Sequence, residues 1–390
     1  MKFFSKILFG RILLIVIIAG IGGISGVMTD RVLLPNIAAD SFFSRWEIFR
    51  KASENTVIIN KTEQVIIRED DSVTTIAASA SPSVVNILSV KRVGSEIGKV
   101  GEPLSDQQDM LQGSGVLVTN DGLIATFHKA ILEGASYTVF LYNGASYSAE
   151  FSGTDALTGI SFLKVSPENL PAISFADPES VHAGEKLILI ANTSEEYRNR
   201  YSTGLLGNAD KTFNIAGGVV ASSERWEGVF TVDAATLEPY VGGPAVDYQG
   251  KLVGIVGNSL RDGKVESFLL PSVAVKESLE RKVRGTLLSR PFLGVSFLSI
   301  TKAYAVAHGI GRDRGALIFT PSGKQGLAVF SGSPAEKAGL RVGDIVVAVD
   351  GKEINLDNPL SVAVGNFEKG NTVVFRILRG EKEQDIGVTL

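Results

Sequence analysis

A mainly β architecture is predicted: a membrane-spanning helix at the N-terminus, a large unit of two β-barrels, and a smaller α+β unit at the C-terminus. Three observations predict it. Residues 12–28 (ILLIVIIAGIGGISGVM) carry no charge. From residue 72 to about 284, short β-rich apolar runs are broken at regular intervals by Gly, Asn and Asp. Residues 291–390 alternate helix-capping signals, glycine turns and short strands. The 390 residues exceed one ordinary domain, and a composition of 44% hydrophobic and 21% charged residues supplies a core.

Composition also excludes functions. Lys+Arg 38 against Asp+Glu 42 gives a net charge of -4, which lacks the basic surplus that phosphate binding needs, so nucleic acid is not an expected partner. With no cysteine, disulfide scaffolds, Cys-ligated zinc, iron–sulfur clusters and cysteine nucleophiles are ruled out. The three histidines, His128, His182 and His308, lie far apart, so no metal site is expected. No cofactor is expected either.

The elements follow in order. Residues 7–28, with Arg11 snorkelling to the interface, reach across a hydrocarbon core of roughly 30 Å at ~1.5 Å per residue. Lys2, Lys6 and Arg11 precede the uncharged span, while Asp30 and Arg31 cancel after it. The positive-inside rule then places the N-terminus in the cytoplasm and the bulk of the chain outside. A cleaved signal peptide is the competing reading, but its apolar region would be overlong and no A-x-A site follows. Residues 1–35 are therefore read as cytoplasmic tip and anchor, and 36–71 as a stalk. In the stalk, Phe42, Phe43, Trp46 and Phe49 fall at helical spacing, to pack on the next domain or to self-associate.

Residues 72–285 form the large unit. Residues 116–119 and 123–126 flank Asn120-Asp121-Gly122, and 137–142 and 146–151 flank Asn143-Gly144, both hairpin signals. Residues 187–191, 229–232, 252–256 and 267–270 read as further strands, 193–208 as a loop and 272–282 as a closing helix. In the third unit, 286–390, Ser333-Pro334-Ala335-Glu336 is a capping box with proline at the first helical position, and Gly339 stands where a C-terminal cap belongs. Asp350-Gly351 and Arg379-Gly380 mark hairpins, and residues 320–326 (TPSGKQG) read as a hairpin extension.

The string SPAEKAGLRVGDIVVAVDGKEI, residues 333–354, resembles the PDZ domain that ends HtrA-type proteins. Arg290-Pro291-Phe292-Leu293-Gly294-Val295 resembles that family's carboxylate-binding loop and the start of its peptide-binding strand. The resemblance implies a peptide site at Phe292, Leu293, Gly294, Val295, Ser296 and Phe297, where loop amides hold a terminal carboxylate and a strand edge takes the peptide. The middle unit resembles the trypsin-like double β-barrel of the same family, through Ser81–Ile87, Gly113-Ser114-Gly115-Val116, residues 154–164, Val232-Asp233-Ala234-Ala235 and Gly242-Gly243-Pro244.

Such a fold catalyses with a serine, a histidine, an aspartate that sets the histidine tautomer, and two backbone oxyanion donors. Carried across position by position, the histidine is His128, but Gly159 falls at the aspartate position and Val241 at the serine position. Pro239, at one oxyanion-hole position, has no N–H. Asp155 matches a different family position, and Ser222, Ser223 and Thr236 read as ordinary loop hydroxyls. The expectation is an extracytoplasmic, membrane-anchored pseudoprotease that binds C-termini of envelope proteins, or an active relative, through its PDZ domain. The family resemblance implies a homo-trimer, and a hetero-oligomer with an active relative is the other assembly expected. An active serine endopeptidase and a purely structural oligomerisation module are the alternatives.

Overall fold

The computed structural model describes residues 69–91, 110–192, 199–217, 220–261 and 263–390, with six helical positions (18, 21–23, 25 and 26) nearer the N-terminus. The anchor expected at 12–28 falls largely, and the aromatic patch at 42–49 wholly, outside the described residues. Among those described, no helix is long and apolar enough to cross a membrane. The chain divides into Met1–Ile67 and Arg68–Leu390, and every described strand belongs to the second unit.

Helix α1 (Glu69–Ala80) leads into the first barrel. Strands β1 (Val84–Val90), β2 (Met110–Leu117), β3 (Leu123–Phe127), β4 (Ser136–Phe140), β5 (Ser146–Thr154) and β6 (Ile160–Lys164) close in the order β1-β2-β3-β6-β5-β4. The expected hairpins form where the turn chemistry placed them, with Gly122 and Gly144 at positive φ. Strands β7 (Lys186–Ala191), β8 (Arg200–Asn214), β9 (Ala221–Ser222), β10 (Glu227–Asp233), β11 (Pro244–Val246), β12 (Leu252–Arg261) and β13 (Lys264–Pro271) come next. All but β9 close the second barrel, as β10-β13-β12-β11-β7-β8. Helix α2 (Ser272–Val283) caps it, one residue longer than read from sequence.

Residues 200–208, expected as loop, are a correction: they belong to the 15-residue strand β8, which pairs with both β7 and β10. Its polar, glycine-containing sequence (RYSTGLLGNADKTFN) hides the strand because tertiary pairing, not local propensity, fixes it. The barrels share one core. Phe127 and Phe162 of the first meet Phe268, Ile188 and Ile255 of the second, all at most 1% exposed. Phe127 and Phe268 cross edge-on at 5.7 Å and 89°, an arrangement worth about 0.5–1.5 kcal/mol beyond the area buried.

In the third part, β14 (Ser296–Ser299), β15 (Ala316–Ile318), β16 (Ile345–Val349), β17 (Lys352–Glu353), β18 (Thr372–Arg379) and β19 (Lys382–Thr389) make one sheet. Short helices α3 (Lys302–His308), α4 (Gln325–Ala328), α5 (Pro334–Lys337) and α6 (Leu360–Gly365) accompany it. Ser333 caps α5 by accepting from the Glu336 amide at 3.1 Å, in keeping with the capping-box sequence. The Glu336 carboxylate reaches the Gly332 amide rather than that of Ser333. Residues 320–326 are a second correction. They form a turn and the start of α4 rather than a hairpin, and Gln325 ties the segment down by bonding the Leu340 carbonyl and the Val342 amide. The sheet order is β19-β18-β16-β15-β14-β9, so a strand from the barrel segment completes it.

Candidate functional site: a histidine cleft and an occupied strand edge

Two places carry the candidate residues. The first is a cleft of about 260 Å³ lined by His128, Glu133, Phe151, Gly159, Ser161 and Arg225, among others. His128 opens a 3-10 turn (His128–Ala130) directly after β3, and its amide donates to the Gly159 carbonyl at 2.8 Å. Its ring packs at 4.7 Å on Phe127. Desolvation, then the cations of Lys129 and Arg225, pull the imidazole down to about 4, so it is neutral at neutral pH.

No carboxylate supports that ring from the expected position. Gly159 sits at φ 73, and a Cβ there would lie 3.0 Å from His128 Cδ2 and 3.0 Å from the Phe127 ring. The position is thus next to the histidine but has no side chain to offer. Asp155, four residues earlier, is fully buried and engaged elsewhere. Its carboxylate accepts from Arg290 Nε at 2.9 Å and Nη2 at 2.5 Å, from Ser278 Oγ at 2.7 Å and from the Leu157 amide at 3.0 Å.

The loop that would carry a nucleophile is well packed. Glu238–Tyr240 is a 3-10 turn, and the Val241 amide donates back to the Glu238 carbonyl at 3.3 Å. With Pro239 lacking an N–H and the Val241 N–H taken by the Glu238 carbonyl, neither expected oxyanion donor is free. The Val241 side chain is half-buried against the core shared by the barrels and that of the second barrel. Gly242, at φ 85, has no room for a side chain: a Cβ would fall 2.4 Å from the Ser114 carbonyl oxygen, 2.5 Å from Thr126 Oγ1 and 2.6 Å from Ala130 Cβ.

The second place is the edge of β14. Phe292 is exposed, Leu293, Val295 and Phe297 are buried, and Ser296 lies half-buried between them. The amides of Leu293 and Gly294 converge on one oxygen, Glu224 Oε1, at 3.3 and 2.8 Å. Beside it, the Ser223 amide and hydroxyl both donate to the Val295 carbonyl at 3.1 Å, and the Val295 amide donates to Ser223 Oγ. Further on, Ser222 pairs with Ser296 and Ala221 with Phe297, antiparallel. Arg225 turns away to the Ala156 carbonyl and the histidine cleft, and the Trp226 amide donates to the Leu157 carbonyl at 2.7 Å. Sequence reasoning missed Glu224 altogether and read Ser222 and Ser223 as loop hydroxyls. Partners some 70 residues away, unmarked by any local motif, give these residues their role.

Two domain models match the chain: "Trypsin-like peptidase domain" over residues 113–255 and "PDZ domain" over residues 291–390. A protein of Brucella suis described as "Probable periplasmic serine endoprotease DegP-like" is 26% identical over 299 residues, covering 75% of this chain and 55% of its own length. One of the same description from Bartonella henselae is 30% identical over 282 residues, covering 71% and 52%. The chain belongs to the HtrA-type family. It spans about half the length of these curated relatives. Among solved structures, "HtrA-type protease AlgW with tripeptide" shares the fold at a TM-score of 0.61 and 22% identity, over 81% of this chain and 95% of that one. The serine endoprotease from Yersinia pestis does so at 0.51 and 21%, over 81% and 96%.

In this HtrA-type chain Glu227, 2% exposed at the start of β10, joins the barrels to the PDZ sheet by accepting from Ser299 Oγ at 2.6 Å. Burial, with the nearby Asp210 carboxylate adding to it against the Ser299 bond, holds its carboxyl up at about 7. The folded state keeps this proton to higher pH than the unfolded chain. Its stabilising effect is therefore complete below about 4.5 and is lost as pH rises through about 7. Glu227→Gln should remove that dependence. Between pH 5 and 8.5 the wild type should lose roughly 2–3 kcal/mol more than the variant in urea unfolding. Parallel pH profiles would contradict this.

Proposed function

We propose that this is a membrane-anchored, extracytoplasmic pseudoprotease whose work is the binding of protein C-termini at the PDZ domain. The observation that carries the reading is the pair of amides, Leu293 and Gly294, that share one carboxylate oxygen next to a strand edge. That chemistry suits a free C-terminus with an extended segment before it. Phe292–Phe297 is then the peptide site. Loss of function in the cleft rests on Gly159, Val241 and Pro239, each at a position where the trypsin-like mechanism needs a group they lack.

Peptides ending in a free carboxylate should bind the purified full chain at least tenfold more tightly than the same peptides amidated, measured by fluorescence anisotropy. Equal affinity for acid and amide would remove the carboxylate-loop assignment. The extracytoplasmic placement is supported by relatives described as periplasmic and by the basic residues before 12–28. Protease added to spheroplasts should accordingly digest the PDZ domain, and its protection would overturn the orientation. A second reading, an active endopeptidase, draws on the relatives' description as serine endoproteases and on His128.

A further inference from the structure

The peptide edge of the PDZ domain is not vacant: the chain's own residues 221–224 lie on it. They run antiparallel to β14 and close both backbone positions of Val295 with the amide and hydroxyl of Ser223. They also place a side-chain carboxylate on the two amides that would hold a C-terminus. Ala221, 6% exposed and paired across the strands with Phe297, joins the PDZ core as a ligand side chain would. Every recognition element of β-augmentation is thus satisfied from within: the strand, a small apolar anchor and the terminal anion.

We infer that residues 221–224 are an internal ligand that masks the PDZ groove, and that an outside C-terminus binds only by displacing them. The inference rests on the proposed peptide-binding role. It adds what that role leaves open, namely that the resting groove is closed and that Glu224 is the group that closes it. The internal ligand is part of the same chain and is held in place by Asn214 Nδ2, which donates to the Ser222 carbonyl within it and the Arg225 carbonyl just after it, and by the Trp226 amide on the Leu157 carbonyl. Tethering gives it an effective concentration on the order of millimolar, so a single-groove peptide competes poorly while the segment is docked. The affinity seen by an outside peptide is reduced by the fraction of chains with the groove open. The peptide chemistry favoured is the one the segment imitates: a small apolar residue followed by short side chains and a free carboxylate.

The test uses the full chain and a fluorescein-labelled decapeptide ending Ala-Ser-Ser, as acid and as amide. Glu224→Ala should tighten binding of the acid at least tenfold over wild type and leave the amide weak. Independently, because the chain has no cysteine, Ser222→Cys with Ser296→Cys provides a lone thiol pair across two directly opposed strand positions. Mild oxidation should close it within one chain, and the closed form should bind no peptide until reduced. Equal peptide affinity in wild type and Glu224→Ala, or a thiol pair that does not close, overturns the masking. Absence of peptide binding in every variant while the thiol pair still closes overturns the peptide role itself and leaves 221–224 as a structural strand.

Discussion

Purified full chain will leave casein and fluorogenic peptides uncut, and Val241→Ser will not restore cleavage. Removal of the nucleophile alone lowers a serine protease of this chemistry by about 10⁶ in rate, and loss of one oxyanion donor by about 10²–10³. These parts act as a unit, so replacing one returns little. With Ser at 241, His128 would still face the empty side of Gly159, its tautomer unset and its imidazolium unsupported. The imidazole already ionises only near 4, because its pocket and two neighbouring cations disfavour the charge it must accept as a base. The backbone would still offer no donors, since Pro239 has none and the Val241 amide is spent on Glu238. Gly159→Asp, Pro239→Gly and Val241→Ser together are the minimum for detectable turnover, and φ 73 at Gly159 strains any residue placed there. Hydrolysis that copurifies with the wild-type protein and vanishes in His128→Ala would establish the active-endopeptidase reading instead.

Arg290→Ala should destabilise the protein by about 3–5 kcal/mol, the range for leaving a buried charge without its partner. Asp155 is fully buried, the Arg290 side chain is 8% exposed, and the pair is bidentate. Arg290 also reaches Glu277 Oε1 at 2.6 Å and the Gly365 carbonyl at 2.8 Å, so one guanidinium ties barrel, capping helix and PDZ domain together. Arg281 reinforces the junction by donating to the carbonyls of Gly365 and Phe367 at 2.8 and 2.6 Å. Replacing both members of the pair, Asp155→Leu with Arg290→Met, should cost less than the single change, because no charge is then stranded. A loss under about 1 kcal/mol for Arg290→Ala in urea unfolding would show that the ion pair does not carry the junction.

Much of the fold could be read from short-range chemistry. Asn143-Gly144, Asp350-Gly351 and the Ser333 cap each dictate a turn through residues adjacent in sequence, and each turn forms at those residues. Strand β8 could not be read so, because its polar run becomes a strand only between two neighbours supplied by distant sequence. The same holds for the site. The PDZ domain was legible from residues 333–354, whereas Ser223 and Glu224, which bond Leu293, Gly294 and Val295, carry no pattern that separates them from any polar turn. Asp155 likewise matches a different family position in the sequence, and only the arrival of Arg290 across 135 residues shows what it pairs with.

The Gly242 turn has a consequence for how the two barrels are held to one another. Its α-carbon is wedged against Ser114, Thr126 and Ala130 of the first barrel, while the Gly242 amide donates to Val256 of the second at 2.8 Å. The glycine is a hinge-pin between two halves of the molecule, and any side chain there would prise them apart. The neighbouring residue at 241 bears no such duty, and its methyl groups only add to the packing of the wall. Architecture and chemistry are thus uncoupled within two consecutive residues: the glycine pair that advertises a protease keeps its mechanical use whether or not anything beside it can attack a carbonyl.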